Sequence, residues 1–548
     1  MTAALRFGAI LDSISIATWQ SECLDAMVRE NLARLELVVL NDLPVADGQS
    51  RTDRAAWAIF KRWFGGCPLE RHAGIAPLAG KRLVKLSDGS REAADELSRL
   101  DFAIDFSSRA LPPFREFPRH GIWSFSHSRC DSFALRELLD RKTVYEVALV
   151  CRRSAGPDRV VLRRGWFGVE RHSYRATRQQ IFAGCLDFPA LACRQILGGS
   201  QFPTKSGAPV ATRSHRGLVS LAAKASLMLS ARALRLRAFR EFFRRQWNIG
   251  VADASRIDPF VDAAGLGVRW LPQGEGRDFV ADCFIHAAGD RRIILAEYVR
   301  EEDGRGVIAA WRGHETRWDF AGIVIEEPDV HLSYPFLFDF EGDTYCLPER
   351  AEAGPPLLYR AISFPDRWER VGEMLPGVRA IDPTVFEYDG RWWLAHTDPV
   401  DRQGRLMMWH ASSPLGPWKP HRKNPVKIDP RSARGAGRPF IYQGALIRPA
   451  QDCSVIYGAR IVFNWVVELT PETFSEEPTG SLAPDPGGPC RHGLHTISMA
   501  GGVAAIDGSR YAFDPLAWLR SRRSKRNKSE RIRRVQGPLS ERPAPLEL

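Results

Sequence analysis

Five segments in the second half of the chain repeat one pattern, and no other feature of the sequence constrains the fold as strongly. They read DFVADCFIHAAGDRRIILAEY (278–298), HLSYPFLFDFEGDTYCLPER (331–350), AIDPTVFEYDGRWWLAHTD (380–398), GRPFIYQGALIRPAQDC (437–453) and LHTISMAGGVAAIDGSR (494–510). Each opens on polar residues, runs through an apolar strand, turns tightly at glycine and continues into a second apolar strand. The opening positions Asp282, Ser333, Asp382, Arg438 and His495 are separated by 51, 49, 56 and 57 residues. That period suits a four-stranded blade, so five repeats predict a five-bladed β-propeller over residues 250–517.

The first strand of every propeller blade faces the central channel, and its polar residues converge at one mouth. The expected ring is Asp282, Ser333 with Tyr334, Asp382, Arg438 and His495, with Glu297, Glu349 and Gln451 at similar offsets after the turn. Taken singly, each has a bland alternative: Asp382-Pro383 as the cap of a strand turn, Glu349-Arg350 as a surface ion pair. As a set they point to a ligand site, because buried charges need partners to offset desolvation.

The chain has 548 residues, too many for one hydrophobic core. Over residues 1–200, apolar runs at 5–12, 35–42, 81–86, 101–107, 120–126 and 144–153 alternate with helical patterns, including a long one at 175–197. This is the rhythm of an α/β domain. No G-x-G-x-x-G follows the first strand, so a dinucleotide site is not supported. Residues 201–249 read as a linker whose segment 213–245 carries nine Lys/Arg against Glu241, with Leu218, Leu221, Leu229, Leu236, Phe239 and Phe243 on one helical stripe. That segment is expected to be a basic amphipathic helix. Residues 518–548 read as a disordered tail, again with nine Lys/Arg against Glu530 between 519 and 534.

Net charge is +12, and these two elements hold more than all of it. The folded domains together are therefore mildly acidic, and no nucleic-acid partner is expected. The basic elements are instead expected to tether the chain to an anionic membrane surface. The N-terminus does not read as a signal peptide, and the ten cysteines are scattered without metal-ligand spacing. Reduced thiols at a cytoplasmic location, peripheral at the inner membrane face, with no metal site, are the expectation.

The strings HLSYPFLF, DPTVFEYDGRWWL, AGRPF and RPAQDC resemble the N-terminal propeller of the plant glucosamine inositolphosphorylceramide transferases and, more broadly, glycoside hydrolase family 43. In those hydrolases an acid and a base act on opposite sides of the sugar while a third carboxylate orients them. The resemblance puts Asp282 where the base would be, offers Ser333-Tyr334-Pro335 in blade two and Asp382 in blade three, and leaves Glu349 as a proton source. His495 matches a blade-five histidine that lies near a central ion or water. Asp282, Glu349 and Asp382 are thus the catalytic candidates, with Tyr334, Arg438, Gln451 and His495 as substrate-binding residues.

LDFAIDFSSRALPPFREFPRHGIWSFSHS resembles the formyltransferase domain of methionyl-tRNA and sugar-nucleotide formyltransferases. At the positions of that family's Asn-x-His stand Ser124 and Ser126, with His127 one place along. The resemblance implies a Rossmann-type sheet, a folate-type formyl donor and a catalytic role for His127. On a strand, that offset puts His127 on the opposite face unless a bulge intervenes. The leading expectation is a carbohydrate-active transferase-like protein of glycan or glycolipid biosynthesis, with its sugar in the propeller funnel. A family-43-like hydrolase, a formyltransferase acting on an amino sugar and a non-catalytic carbohydrate-binding scaffold are the alternatives.

Overall fold

The computed structural model describes residues 3–516, apart from 45–50, 74–77, 79, 89, 128–129, 131, 155–158, 200–217, 273–277, 290, 303 and 315–316. The expected tail, 518–548, and the first third of the linker, 201–217, lie outside the described residues. Two compact units emerge, Met1–Arg235 and Leu236–Leu548.

The first unit is built on a mixed seven-stranded sheet. Strands β1 (Leu5–Leu11), β2 (Ala33–Leu40), β3 (Arg82–Lys85), β4 (Phe102–Asp105) and β5 (Ile122–Phe125) run parallel, and β6 (Val144–Arg152) and β7 (Val160–Gly168) return antiparallel at one edge. Their order, 3-2-1-4-5-6-7, begins as a doubly wound sheet does. β1 buries every residue but Arg6, as a parallel strand covered on both faces must. Helices α1 (Thr18–Arg29), α2 (Arg51–Phe60) and α3 (Ser90–Ser98) occupy the crossovers. Gly8 lets α3 approach closely, since a Cβ there would stand 2.8 Å from Leu97 Cδ2. Phe7, Phe102 and Trp123 stack across neighbouring strands.

The long helix expected at 175–197 divides into Tyr174–Cys185 and Phe188–Leu197. Pro189, in the first turn of the second helix, has no N–H to continue the first. β7 was not expected, because Arg163 and Arg164 interrupt its alternation. Helix Leu218–Phe242, within which the boundary between the units falls, is not amphipathic as expected. Ala222, Ala225 and Leu229 are buried, but Leu227 and Leu234 are 77% and 69% exposed, so its apolar residues are spread around the axis.

The second unit is a five-bladed propeller. Blade one spans 279–325, blade two 333–373 and blade three 381–428. Blade four spans 440–483 and gains an edge strand, Asp262–Ala264, parallel to Phe474–Ala483. Blade five takes its inner strands, Ile497–Ala500 and Val503–Phe513, from the end of the propeller and its outer ones, Phe243–Asp253 and Arg269–Trp270, from the beginning. The propeller thus starts at Phe243, inside the expected linker. Arg244 and Arg245 belong to this closing strand: Arg245 donates to Ser509 Oγ (2.9 Å) and the Tyr457 carbonyl (2.6 Å) and lies over Trp247, so it is no tethering charge.

The glycine turns of the repeat are two-residue hairpin loops. Glu341-Gly342, Asp389-Gly390, Gln443-Gly444 and Gly501-Gly502 all have positive φ at both residues, the type I′ geometry whose twist matches the flanking strands. A buried ionic cluster joins blades three and four, in which Arg448 (2.7 and 2.6 Å) of blade four and Lys427 (2.6 Å) of blade three donate to Glu476. Burial alone would raise the Glu476 pKa, but Arg448 and Lys427 outweigh it and bring the group down to about 2.

Because its folded pKa is depressed, Glu476 contributes its full stabilisation above the ordinary carboxylate range and loses it as pH falls from about 4.5 through about 2. Glu476→Gln should cost roughly 3–5 kcal/mol at neutral pH, because it leaves two cations without their counter-charge, and should flatten that acid limb. Urea unfolding at pH 7 and pH 3.5 checks both.

Candidate functional site

Local backbone chemistry aims side chains into the channel. In blades one, two and three the first strand carries a bulge: two residues, Asp282-Cys283, Tyr334-Pro335 and Asp382-Pro383, oppose one on the second strand. The leading residue of each bulge is left-handed, with φ of 51°, 46° and 51°. Aspartate tolerates that region better than most residues, whereas tyrosine is strained there. The true blade-two counterpart of Asp282 and Asp382 is therefore Tyr334 rather than Ser333. On the second strands, Glu297, Glu349 and Thr397 pair with Ala281, Ser333 and Ile381. Gln451 of blade four and Asp507 of blade five complete the series through backbone bonds to Arg434 and Thr496.

Two hydrogen-bonded clusters result. In the first, Asp507 accepts the backbone N–H groups of Asp282 (3.0 Å), His495 (2.9 Å) and Thr496 (3.0 Å), and His495 Nδ1. His495 Nε2 lies 3.6 Å from Asp282 Oδ1, which also accepts from Thr496 Oγ1 at 2.8 Å. The imidazole is stacked on Trp247 at 3.9 Å and meets the edge of Tyr457. Burial pulls the His495 pKa down, but Asp507 and Asp282 outweigh it and leave it raised. Burial pushes Asp282 up to about 7 against the opposing pull of His495.

In the second cluster the Arg434 guanidinium grips Asp382 with Nε (2.7 Å) and Nη2 (3.3 Å), and Gln451 Nε2 donates to the same carboxylate at 3.3 Å. The Asp382 backbone N–H donates to Glu349 Oε2 at 3.3 Å. Burial, reinforced by the neighbouring Asp382, holds the Glu349 carboxyl well above the usual range, although Arg434 and Arg402 oppose it. Tyr457 covers the Arg434 guanidinium at 4.7 Å.

Between the clusters opens a cavity of about 350 Å³ whose wall includes Asp282, Glu297, Ser333, Glu349, Arg434 and Tyr457. His331 also lines it: Nδ1 accepts the Gly306 N–H at 2.9 Å, which fixes the Nε2 proton toward Glu297 Oε1, 2.9 Å away.

The expected ring is thus brought together in part. Asp282 and Glu349 face the cavity, while Asp382, Gln451 and His495 lie immediately behind it. Tyr334 is buried, with its hydroxyl 2.9 Å from Thr384 Oγ1. Arg438 is misplaced by the expectation: it is exposed, donates to the Leu337 carbonyl and lies over Phe336, while Arg434 supplies the guanidinium at the site. The repeat was aligned on the strand, but the blade-four chain enters the centre before its strand starts. Asp507 was missed because Asp507-Gly508 reads as a hairpin turn, although the turn is Gly501-Gly502.

Asp282, His495 and Asp507 place ligand atoms within 4.8 Å of one another, close enough for one cation. Asp507 already accepts three backbone N–H groups and the His495 ring. Only His495 Nε2 and the free Asp282 oxygen remain, so the set fits a hydrogen-bonded relay better than a metal.

In the first unit, Ser124 is half-buried on β5, and Ser126 Oγ accepts the Ala148 N–H at 3.0 Å. His127 is 2% exposed among Trp19, Phe125, Phe133 and Phe182. Among the described residues neither of its ring nitrogens has a hydrogen-bond partner, and burial, with Arg178 nearby, pulls its pKa down to about 3.

Fold and site together define a five-bladed propeller with an acid-lined channel mouth. Residues 268–483 match the family model described as glucosamine inositolphosphorylceramide transferase 1, N-terminal. Glucosamine inositolphosphorylceramide transferase 1 of Oryza sativa subsp. japonica is 34% identical over 254 residues, 43% of this chain and 34% of that protein. The Arabidopsis thaliana protein of the same name is 35% identical over 227 residues, 40% of this chain and 29% of that one. The chain spans about a third of the length of these curated relatives. Among solved structures, a family 117 glycoside hydrolase of Zobellia galactanivorans aligns over 49% of this chain and 91% of its own at 13% identity and a TM-score of 0.33. The family 43 β-xylosidase/α-arabinofuranosidase CoXyl43, from a compost microbial metagenome, aligns over 47% and 93% at 13% identity and 0.32.

With its pKa held up by burial, Glu349 should carry its proton at neutral pH. Infrared difference spectra between wild type and Glu349→Gln at pH 7 should contain a protonated-carboxyl C=O band, and its absence would show Glu349 ionised.

Proposed function

We propose that the chain is a carbohydrate-active, transferase-like protein of glycan or glycolipid assembly whose propeller cavity binds a sugar. The observation that carries this reading is the cavity wall: carboxyl groups that burial would penalise in a purely structural role border a space of about 350 Å³, within the usual range for small ligands. The match of residues 268–483 to a domain of sugar transferases supports the same reading. In it, Asp282 accepts hydrogen bonds from sugar hydroxyls and Glu349 donates its proton to a sugar oxygen. Asp382 acts through its backbone N–H, orienting Glu349 while Arg434 and Gln451 hold its own side chain.

A glycan array probed with the full chain tests this. Binding should weaken roughly tenfold to a hundredfold in Asp282→Asn, the worth of one or two hydrogen bonds to a charged group. Unchanged binding in both Asp282→Asn and Glu349→Gln would overturn it. The hydrolase is the second reading, favoured by the placement of Asp282 and Glu349 on one cavity; release of free sugar from aryl glycosides, lost in Glu349→Gln, would establish it.

The formyltransferase resemblance of the first unit draws support from the order of its sheet. The enclosure of His127 speaks against formyl transfer with a folate-type donor, because the ring is 2% exposed and has no hydrogen-bond partner among the described residues. The cytoplasmic assignment is supported by ten free thiols, and among the described residues no helix is long and apolar enough to cross a membrane. A peripheral membrane role rests on basic residues alone, including the exposed Arg235 and Arg237. Flotation with anionic but not neutral vesicles, weakened by Arg235→Glu with Arg237→Glu, is the expected outcome.

A further inference from the structure

Large apolar side chains exposed one at a time are ordinary on a protein surface, but a contiguous group of them marks a surface that meets something. One such group lies where the second unit closes its ring. Phe243 and Phe513 form the last pair of the closing strands, and both are exposed, by 37% and 66%. Their ring centroids are 5.7 Å apart, and Phe513 also stands 6.5 Å from the exposed ring of Phe242. Phe239, half-buried, stacks on Phe243 at 4.8 Å and backs the group. The Asp514 N–H donates to the Phe242 carbonyl at 2.8 Å, and the Asp514 carboxylate accepts the Leu516 N–H at 3.0 Å, so the patch continues to Leu516, 45% exposed.

The sequence supplies charge at the same place. The described chain ends at Leu516, within the patch, and the residues that follow it read AWLRSRRSKRNK, the start of the run with nine Lys/Arg against Glu530. A chain reaches at most about 3.6 Å per residue, so Arg520, Arg522 and Arg523 are tied to within about 25 Å of Leu516. Phenylalanine rings and a leucine at the root of a dense run of cations fit a surface that is apolar and negatively charged over a wide area. The boundary between acyl chains and anionic headgroups is such a surface. A neutral bilayer would leave the cations unmet.

Resting on the peripheral-membrane reading, we propose that Phe242, Phe243, Phe513 and Leu516 form the patch that enters an anionic bilayer surface, with the basic run that follows them paired to its headgroups. The attachment is then apolar as well as electrostatic, so salt releases only part of it. It also falls on the strand pairing that closes the propeller ring.

Flotation of the full chain with vesicles of equal parts phosphatidylcholine and phosphatidylserine, against phosphatidylcholine alone, tests the proposal. Wild type should bind the mixed vesicles and keep part of that binding in high salt. Phe513→Ser with Leu516→Ser should weaken partitioning about tenfold, equivalent to about 1.4 kcal/mol, and lose the salt-resistant part, while thermal unfolding confirms that the variant folds. A polarity-sensitive dye on Phe513→Cys should shift to the blue with mixed vesicles, and the same dye on Ile362→Cys, an exposed position of blade two, should not. The native thiols, buried or half-buried, leave the introduced one the most accessible. Wild-type binding that the serine variant matches, or that high salt abolishes, overturns the patch and leaves a purely electrostatic tether standing. Equal binding to both kinds of vesicle, or a dye at 513 that does not shift, overturns the proposal. Binding to neither kind removes the peripheral-membrane reading as well, and a dimer that the serine variant dissolves would then assign the patch to a second copy of the chain.

Discussion

The ring is closed by one pairing, that of Phe243–Asp253 with Val503–Phe513, which runs in unbroken antiparallel register over the whole of both strands. All else in the propeller depends on it. A ring of blades has no core of its own at the centre, so the inner strands are held in radial array only if first and last are locked together. The lock also carries chemistry. Trp247, on the closing strand, stacks on His495, and Asp507, on its partner, holds the imidazole. The segment that seals the ring therefore builds one wall of the site.

That wall illustrates what a channel mouth makes affordable. A single buried carboxylate is costly, and several side by side are costlier still. The cost is met differently on the two sides. Asp382 is gripped by a two-pronged guanidinium and an amide, and Asp507 by three backbone N–H groups and a ring nitrogen. Asp282 and Glu349 receive much less, and burial raises the pKa of each. Saturated carboxylates behind and unsaturated carboxyl groups in front form a surface that is rigid yet chemically unfinished.

Much of this was legible in the sequence. Five blades followed from five repeats, the hairpins from their glycine turns, and the parallel strands of the first unit from apolar runs buried on both faces. Asp282, Glu349, Asp382, Gln451 and His495 were expected near one another because the repeat brings equivalent positions to one place, and the fold gathers them at one cavity. What failed did so for definable reasons. Arg438 and Arg434 lie in one short stretch, RGAGR, and only the irregular entry of blade four decides which turns inward. Asp507 was hidden by a turn-like dipeptide within a long strand. The helix at 218–242 has enough leucine to suggest a stripe, but its residues do not keep phase with 3.6. His331 gives no signal at all, since its role depends on Gly306, 25 residues away, fixing its tautomer.

Blade two breaks the symmetry of the site at Tyr334, which occupies the left-handed bulge position that aspartate holds in blades one and three. Tyrosine is a poor residue for that backbone, yet its ring fills the centre beside Phe284 and its hydroxyl binds Thr384. In the genetic code, tyrosine and aspartate are one base apart. The relaxed backbone is therefore a single mutational step away, and that step would set a third carboxylate beside Asp282 and Asp382 with no second Arg434 to meet it. The strained tyrosine keeps the centre of the ring from holding more negative charge than its neighbours can neutralise.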